Sequence, residues 1–146
     1  MKVEIKLDSS CSEPEVIIKT ASMSGEVQEI VKRMSEETPK IISGSRDGKI
    51  EVLDPDELIR IYAGSGKVFA VTAEGTYALR SRLYELEEWL DTKQFVRISN
   101  SEIINLKKVK HFDLSFTGTI CVKLSDSAVT YVSRRYVAKI KKILGV

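Results

Sequence analysis

Three short clusters in this sequence carry side chains able to do recognition chemistry. The first is Ser99-Asn100-Ser101, set between the apolar runs Phe95-Val96-Arg97-Ile98 and Ile103-Ile104. The Asn100 carboxamide holds a donor and an acceptor side by side, the complement of the N6/N7 edge of adenine. The same side chain suits the cap of a turn, and the residues leave both roles open. Asn105, by contrast, sits among apolar neighbours and is read as satisfying buried backbone. The second cluster is Ser133-Arg134-Arg135, followed by Lys139, Lys141 and Lys142. Ser133 is a natural helix N-cap, so the two arginines fall in the first turn, where positive charge opposes the helix dipole. An external anion, or the O6/N7 edge of guanine that Arg reads bidentately, explains the pair better than helix stability does. Lys139 and Lys141 are placed either to meet phosphate or to solubilise the helix. The third cluster, Ala63-Gly64-Ser65-Gly66-Lys67, is a small-residue turn that lets backbone approach a partner and adds the charge of Lys67. A plain glycine hairpin explains it equally well.

Other chemistries lack their residues. There is one histidine, His111, in Val109-Lys110-His111-Phe112-Asp113. No multi-histidine metal site can form, and the alternation makes His111 an ordinary strand residue. A small enzyme with His111 as base ranks last, because nothing positions a nucleophile or oxyanion donors. Cys11 and Cys121 are far apart and in no CxxC pair, which points to two reduced thiols, with Cys121 structural. There is no GxGxxG and no GxxxxGK[ST]. We expect no catalytic residues, metal, cofactor or small-molecule substrate. The start, MKVEIKLDSS, alternates charged and apolar residues and has no signal-peptide core, and no apolar run approaches the ~20 residues of a membrane span. A cytoplasmic protein is expected.

The elements that must carry these clusters can be read along the 146 residues, of which 42% are apolar and 30% charged, with a formal net charge of +2. The charge is uneven. Residues 1–44 carry six Lys/Arg against eight Asp/Glu, whereas residues 101–146 carry nine Lys/Arg against only Glu102, Asp113 and Asp126. A basic C-terminal end is the footprint of a polyanion or simply a solvated face. Val3, Ile5 and Leu7 alternate as in a half-buried strand, and Val16-Ile17-Ile18 predicts a second. Ser24 caps a helix running to about Glu37, with Val27, Ile30, Val31 and Met34 on one face, and Pro39 ends it. Ile41-Ile42 opens another strand. Residues 1–44 thus form a small α/β segment, with the boundary near 43–48. From residue 45 onward, short strands alternate with turns at Asp47-Gly48, Ala63–Lys67, Glu74-Gly75, Thr117-Gly118 and Ser125-Asp126. Helices are expected over 82–91, capped by Ser81 and striped by Leu83, Leu86 and Leu90, and over about 134–144. That pattern predicts a mainly β domain of antiparallel sheets with short helices.

The run from 45 to 146 resembles the LytTR-type DNA-binding domain of bacterial response regulators. The carriers are Phe95-Val96-Arg97-Ile98, Asn100-Ser101, Ile103-Ile104-Asn105-Leu106 and the late Val132-Ser133-Arg134-Arg135 before a basic helix, over about 100 residues. The Leu58–Tyr62 strand and the Leu83, Leu86 helix follow in the family's order. The resemblance implies loops, not a recognition helix, entering successive major grooves of double-stranded DNA. It places Asn100 as a base reader beside a phosphate contact from Ser101, and Arg135 as a second base reader flanked by Ser133 and Arg134. It puts a further loop at Gly66-Lys67, where this sequence departs from the pattern, and Ser99 stands where many members have His. A receiver domain of roughly 120 residues does not fit in 44. The resemblance is therefore to small stand-alone regulators, which implies a homodimer at least on DNA and a restraining membrane protein encoded nearby. Residues 1–44 are the candidate for dimerisation or partner docking. The rival reading is a basic protein-interaction module with no DNA sequence preference.

Overall fold

A computed structural model describes residues 1–35 and 41–146. The chain divides into two compact units, Met1–Pro39 and Lys40–Val146. In the first, helix α1 spans Gly25–Ser35, and the Ser24 hydroxyl accepts from the Val27 amide at 3.3 Å, the expected N-cap. The expected extension to Glu37 and the stop at Pro39 lie outside the described residues. The two predicted strands do not form here: no ladder includes residues 1–24, and no described residue of this unit is buried. Among the described residues of this unit neither segment is paired, and a strand is stable only within a ladder.

The second unit is built on hairpins. Strands β1 (Ile42–Arg46) and β2 (Lys49–Leu53) are joined through Asp47-Gly48, both at positive φ. β1 also pairs with the later β5, so the strand expected at Ile41-Ile42 belongs to this sheet rather than to the N-terminal segment. After a 3-10 turn at Pro55–Glu57, capped by Asp54, come β3 (Arg60–Gly64), β4 (Lys67–Thr72) and β5 (Gly75–Leu79). Helix α2 covers Leu83–Trp89. Its cap is Arg82, not the expected Ser81: the Arg82 amide donates to the Glu85 carboxylate at 3.1 Å, which fixes the start one residue later. Strands β6 (Phe95–Ser99) and β7 (Glu102–Asn105) form a hairpin, followed by β8 (Val109–Asp113), β9 (Ile120–Leu124), β10 (Val129–Val132) and helix α3 (Arg134–Leu144). All pairings are antiparallel, in a seven-stranded sheet ordered β2-β1-β5-β4-β3-β7-β6 and a three-stranded sheet ordered β10-β9-β8.

Two cores result, and the β6–β7 hairpin lies between them. Phe95 and Ile103 face the first core, with Leu83, Leu86 and Leu90 of the α2 region against Ile61, Val68, Ala70 and Tyr77. Val96, Ile98 and Ile104 face the second, with Ile120, Val122, Leu124, Val132 and Ile140. Burying one such side chain fully contributes about 1.5–3 kcal/mol. Glu102 joins the sheets, accepting from Arg60 Nη1 at 3.1 Å and from the Thr130 hydroxyl at 2.7 Å.

Asn105 is fully buried. Its amide donates to the Leu58 carbonyl at 2.7 Å and its oxygen accepts from the Lys107 amide at 3.0 Å, the structural role expected for it. Replacing Asn105 with Ala removes both bonds and strands a buried carbonyl, so we expect a loss of about 2 kcal/mol in urea denaturation with an unchanged m value. A loss within experimental error of zero would show that this bond pair is dispensable.

Candidate functional site

The tip of the β6–β7 hairpin is held by an arginine within the strand. Arg97 sits between Val96 and Ile98, on the face toward α2. Its Nε donates to the Ser99 carbonyl at 2.8 Å, its Nη2 to the Asn100 carbonyl at 2.6 Å, and its Nη1 reaches Glu87 of α2 at 2.6 Å. The Arg97 side chain is 13% exposed and that of Glu87 42%. Charge-assisted bonds of this kind are roughly twice as strong as neutral ones. Two more contacts close the tip: the Ala63 amide donates to the Ser101 carbonyl at 2.8 Å, and the Ser101 amide to the Ser99 hydroxyl at 3.2 Å. The backbone is thereby tied from several sides while the Asn100 and Ser101 side chains are exposed.

Asn100 is where distant segments meet. Its Oδ1 accepts from Arg135 Nη1 at 3.4 Å and from the Tyr136 hydroxyl at 3.3 Å. Both bonds are longer than usual for their type, so they are weak and readily exchanged for better partners. The start of α3 is fixed independently of them, because the Ser133 amide donates to the Ile98 carbonyl at 2.9 Å. Ser133 is the N-cap residue, but its hydroxyl makes no capping bond. The first turn of α3 contains no acidic residue to offset Arg134 and Arg135. Such uncompensated charge costs about 0.3–1 kcal/mol per group.

The predicted residues are therefore partly gathered and partly dispersed. Asn100, Ser101, Arg135 and Ser133 lie at one end of the unit. Lys67 joins them: it follows the Ser65-Gly66 turn, both residues at positive φ, and lines with Asn100 a shallow open depression that also takes in Arg82 and Tyr84. Arg134 points elsewhere, its Nε 3.5 Å from the position a Cβ would occupy on Gly118 of the β8–β9 turn. Along exposed α3 positions, Lys139 follows Arg135 by one turn on the same face, whereas Lys141 is in line with Arg134. His111 is exposed on β8, and Cys121 is half-buried on β9.

Sequence reasoning missed Arg82, Arg97, Glu87 and Tyr136. The signal for Arg97 was present: a cation flanked by residues that must be buried requires an anion and acceptors nearby. Arg82 and Tyr136 carried no such signal, because they come near Asn100 only where the start of α2 and the first turn of α3 meet the hairpin tip in the fold.

The comparisons with known proteins agree on one family. The sequence profile of the LytTr DNA-binding domain matches residues 48–145. A protein of Staphylococcus aureus strain NCTC 8325, described as an HTH-type transcriptional regulator, is 31% identical over 147 residues, covering 100% of this chain and 99% of its own. One of strain MRSA252 with the same description is 30% identical with the same coverage. The fold is similar to a solved structure described as the LytTr DNA-binding domain of a methyl-accepting/DNA response regulator from Bacillus cereus. That match has a TM-score of 0.71 and 19% identity, and covers 75% of this chain and all of that one. The relatives' description speaks of a helix-turn-helix. Here α2 and α3 are separated by strands β6 to β10, so the described residues hold no adjacent helix pair of that kind.

Arg97→Met should leave the fold intact but free the hairpin tip, at a cost of about 1–3 kcal/mol. Hydrogen exchange at the Asn100 and Ser101 amides should rise well above that of β6, while Glu87→Gln, at a half-exposed partner, costs less than about 1 kcal/mol. Unchanged exchange at those amides in Arg97→Met would mean the tip is held without the arginine.

Proposed function

The chain belongs to the LytTr DNA-binding domain family, and from that membership we propose that it is a sequence-specific transcriptional regulator that reads double-stranded DNA with loop residues. The observation that carries the proposal is the meeting of Asn100 with Arg135, 35 residues apart in sequence, through weak bonds on an exposed surface. Two side chains suited to adenine and guanine edges stand together at the end of the unit, and each loses little by turning to a base. On this reading Asn100 and Arg135 read bases. Ser101, Ser133 and Lys67 contact phosphate around them, Arg134 contacts phosphate on the side of the β8–β9 turn, and Lys139 and Lys141 supply sequence-independent attraction. The protein works as a homodimer, at least on DNA, with its N-terminal segment as the dimerisation element.

Binding to a duplex selected from a random pool, followed by fluorescence anisotropy across a salt series, tests the division of labour. Arg135→Ala and Asn100→Ala should each lose about 1–3 kcal/mol of preference for the selected duplex over a scrambled one. Lys141→Ala should weaken both duplexes equally and reduce the slope of log K against log salt by about 0.9. If Arg135→Ala weakens both duplexes alike, Arg135 touches phosphate and the base-reading role is wrong. If the wild type never distinguishes the two, the protein is not a sequence reader.

A further inference from the structure

The N-terminal unit cannot stand on its own side chains. Val3, Ile5 and Leu7 are 78%, 84% and 97% exposed, and α1 contains no buried residue. Chains below about 40 residues generally need a disulfide, a metal or association to hold together. Cys11 is free and exposed, and no cluster able to hold a metal exists among the described residues. Association remains, and the charges on this segment indicate with what.

We infer that residues 2–8 pair antiparallel with the same residues of a second copy of this chain, about a two-fold axis at Ile5. The inference rests on the homodimer reading above and adds the partner strand and its register. The segment reads Lys2-Val3-Glu4-Ile5-Lys6-Leu7-Asp8. In this register Lys2 faces Asp8, Glu4 faces Lys6, Val3 faces Leu7 and Ile5 faces itself. All four cross-strand charge pairs on the polar face are of opposite sign, and the other face is wholly apolar. A slip of two residues one way sets Glu4 against Glu4, and the other way Lys6 against Lys6. A slip of one turns the apolar side chains to the wrong face. Parallel pairing in register puts like charge on like at every polar position. The shorter segment Glu15–Lys19 offers only two opposite pairs by the same construction, so residues 2–8 are the better axis.

The local structure fits a strand that ends at residue 8. The Asp8 carboxylate accepts from the Ser10 amide at 2.9 Å and the Ser10 hydroxyl at 2.6 Å through one oxygen, leaving the other for Lys2 of the second copy. The same bonds hold the Asp8 carboxyl below its usual pKa, so it stays ionised. Lys2, Glu4 and Lys6 form no ion pair within the chain among the described residues. The apolar face of α1, with Val27, Ile30, Val31 and Met34, supplies the layer that a two-stranded ribbon needs for stability.

Charge reversal tests this on the full chain by sedimentation equilibrium. Lys2→Glu with Lys6→Glu makes the strand wholly acidic, and Glu4→Lys with Asp8→Lys makes it wholly basic. Each double variant alone should dimerise at least roughly tenfold more weakly than wild type, since four favourable pairs become four repulsive ones. An equimolar mixture should recover a heterodimer of wild-type strength, because every pair is again of opposite sign. Ile5→Cys in a Cys11→Ser background should also cross-link on mild oxidation, and Val3→Cys in that background should not. A wild type that is monomeric alone would overturn the inference, and only one that is monomeric on a duplex as well would overturn the dimer reading. A dimeric wild type whose double variants dimerise equally well, or whose mixture fails to recover, would overturn the register and leave the dimer standing.

Discussion

The hairpin of β6 and β7 is buried on both faces, and this constraint orders the rest of the second unit. Every residue of β7 is buried, with Ile103 in one core and Ile104 in the other. An edge hairpin in that position cannot slide or twist without opening two hydrophobic clusters at once. Two polar side chains on β7, Glu102 and Asn105, would be ruinous there unless fully bonded. Both are bonded, one to Arg60 and Thr130 across the sheets and the other to the backbone at Leu58 and Lys107. The polar groups thus fix the register that the apolar residues alone would leave to packing.

A rigid hairpin makes its tip a fixed point, and the candidate site is built from that point outward. Arg97 spends its donors on the tip carbonyls and on Glu87, so the turn is tied to α2 as well as to its own strand. The start of α3 is tied to Ile98 by a backbone bond. Asn100 and Arg135 are therefore placed by backbone contacts, and the long bonds between their side chains add little. That separation suits recognition: positions are set by strong interactions, and the groups that would meet a ligand stay weakly engaged.

Much of this was legible in the sequence, for identifiable reasons. Asp47-Gly48 announces a turn because it tolerates positive φ, and the small residues of Ala63–Lys67 announce another. Leu83, Leu86 and Leu90 announce a helix because they repeat at its period. Asn105 was readable as structural because an amide among Ile103, Ile104 and Leu106 has to find backbone. β7 was harder to name as a strand, since burial on both faces removes the alternation that identifies one. The cap of α2 falls at Arg82 because Glu85, three residues on, reaches back to its amide, whereas three residues after Ser81 stands Tyr84. In the candidate site, the types of Asn100 and Arg135 suggested what they could bind, but their adjacency is a product of the fold. The N-terminal strands differ for another reason: a pattern along one segment says nothing of which segment pairs with it, and a strand forms only in a ladder.

The two units pose opposite electrostatic problems. In the second, basic residues accumulate on α3 although its first turn disfavours them, and its buried face, with Ile140 and the half-buried Tyr136 and Val137, locks the helix against the second core. The helix therefore cannot offer its whole surface to a partner. What it presents is its N-terminal end and two exposed stripes, one carrying Arg135 and Lys139 and the other Arg134 and Lys141. A fold that buries the middle of its helices must recognise with the ends of its elements, and the hairpin tip supplies the second end beside the first. In residues 2–8 of the N-terminal unit, opposite signs alternate instead. Accumulated charge needs a foreign partner of opposite sign, whereas alternating charge can be met by a copy of itself. On the pairing proposed above, one chain carries one surface suited to a polyanion and one suited to its own duplicate.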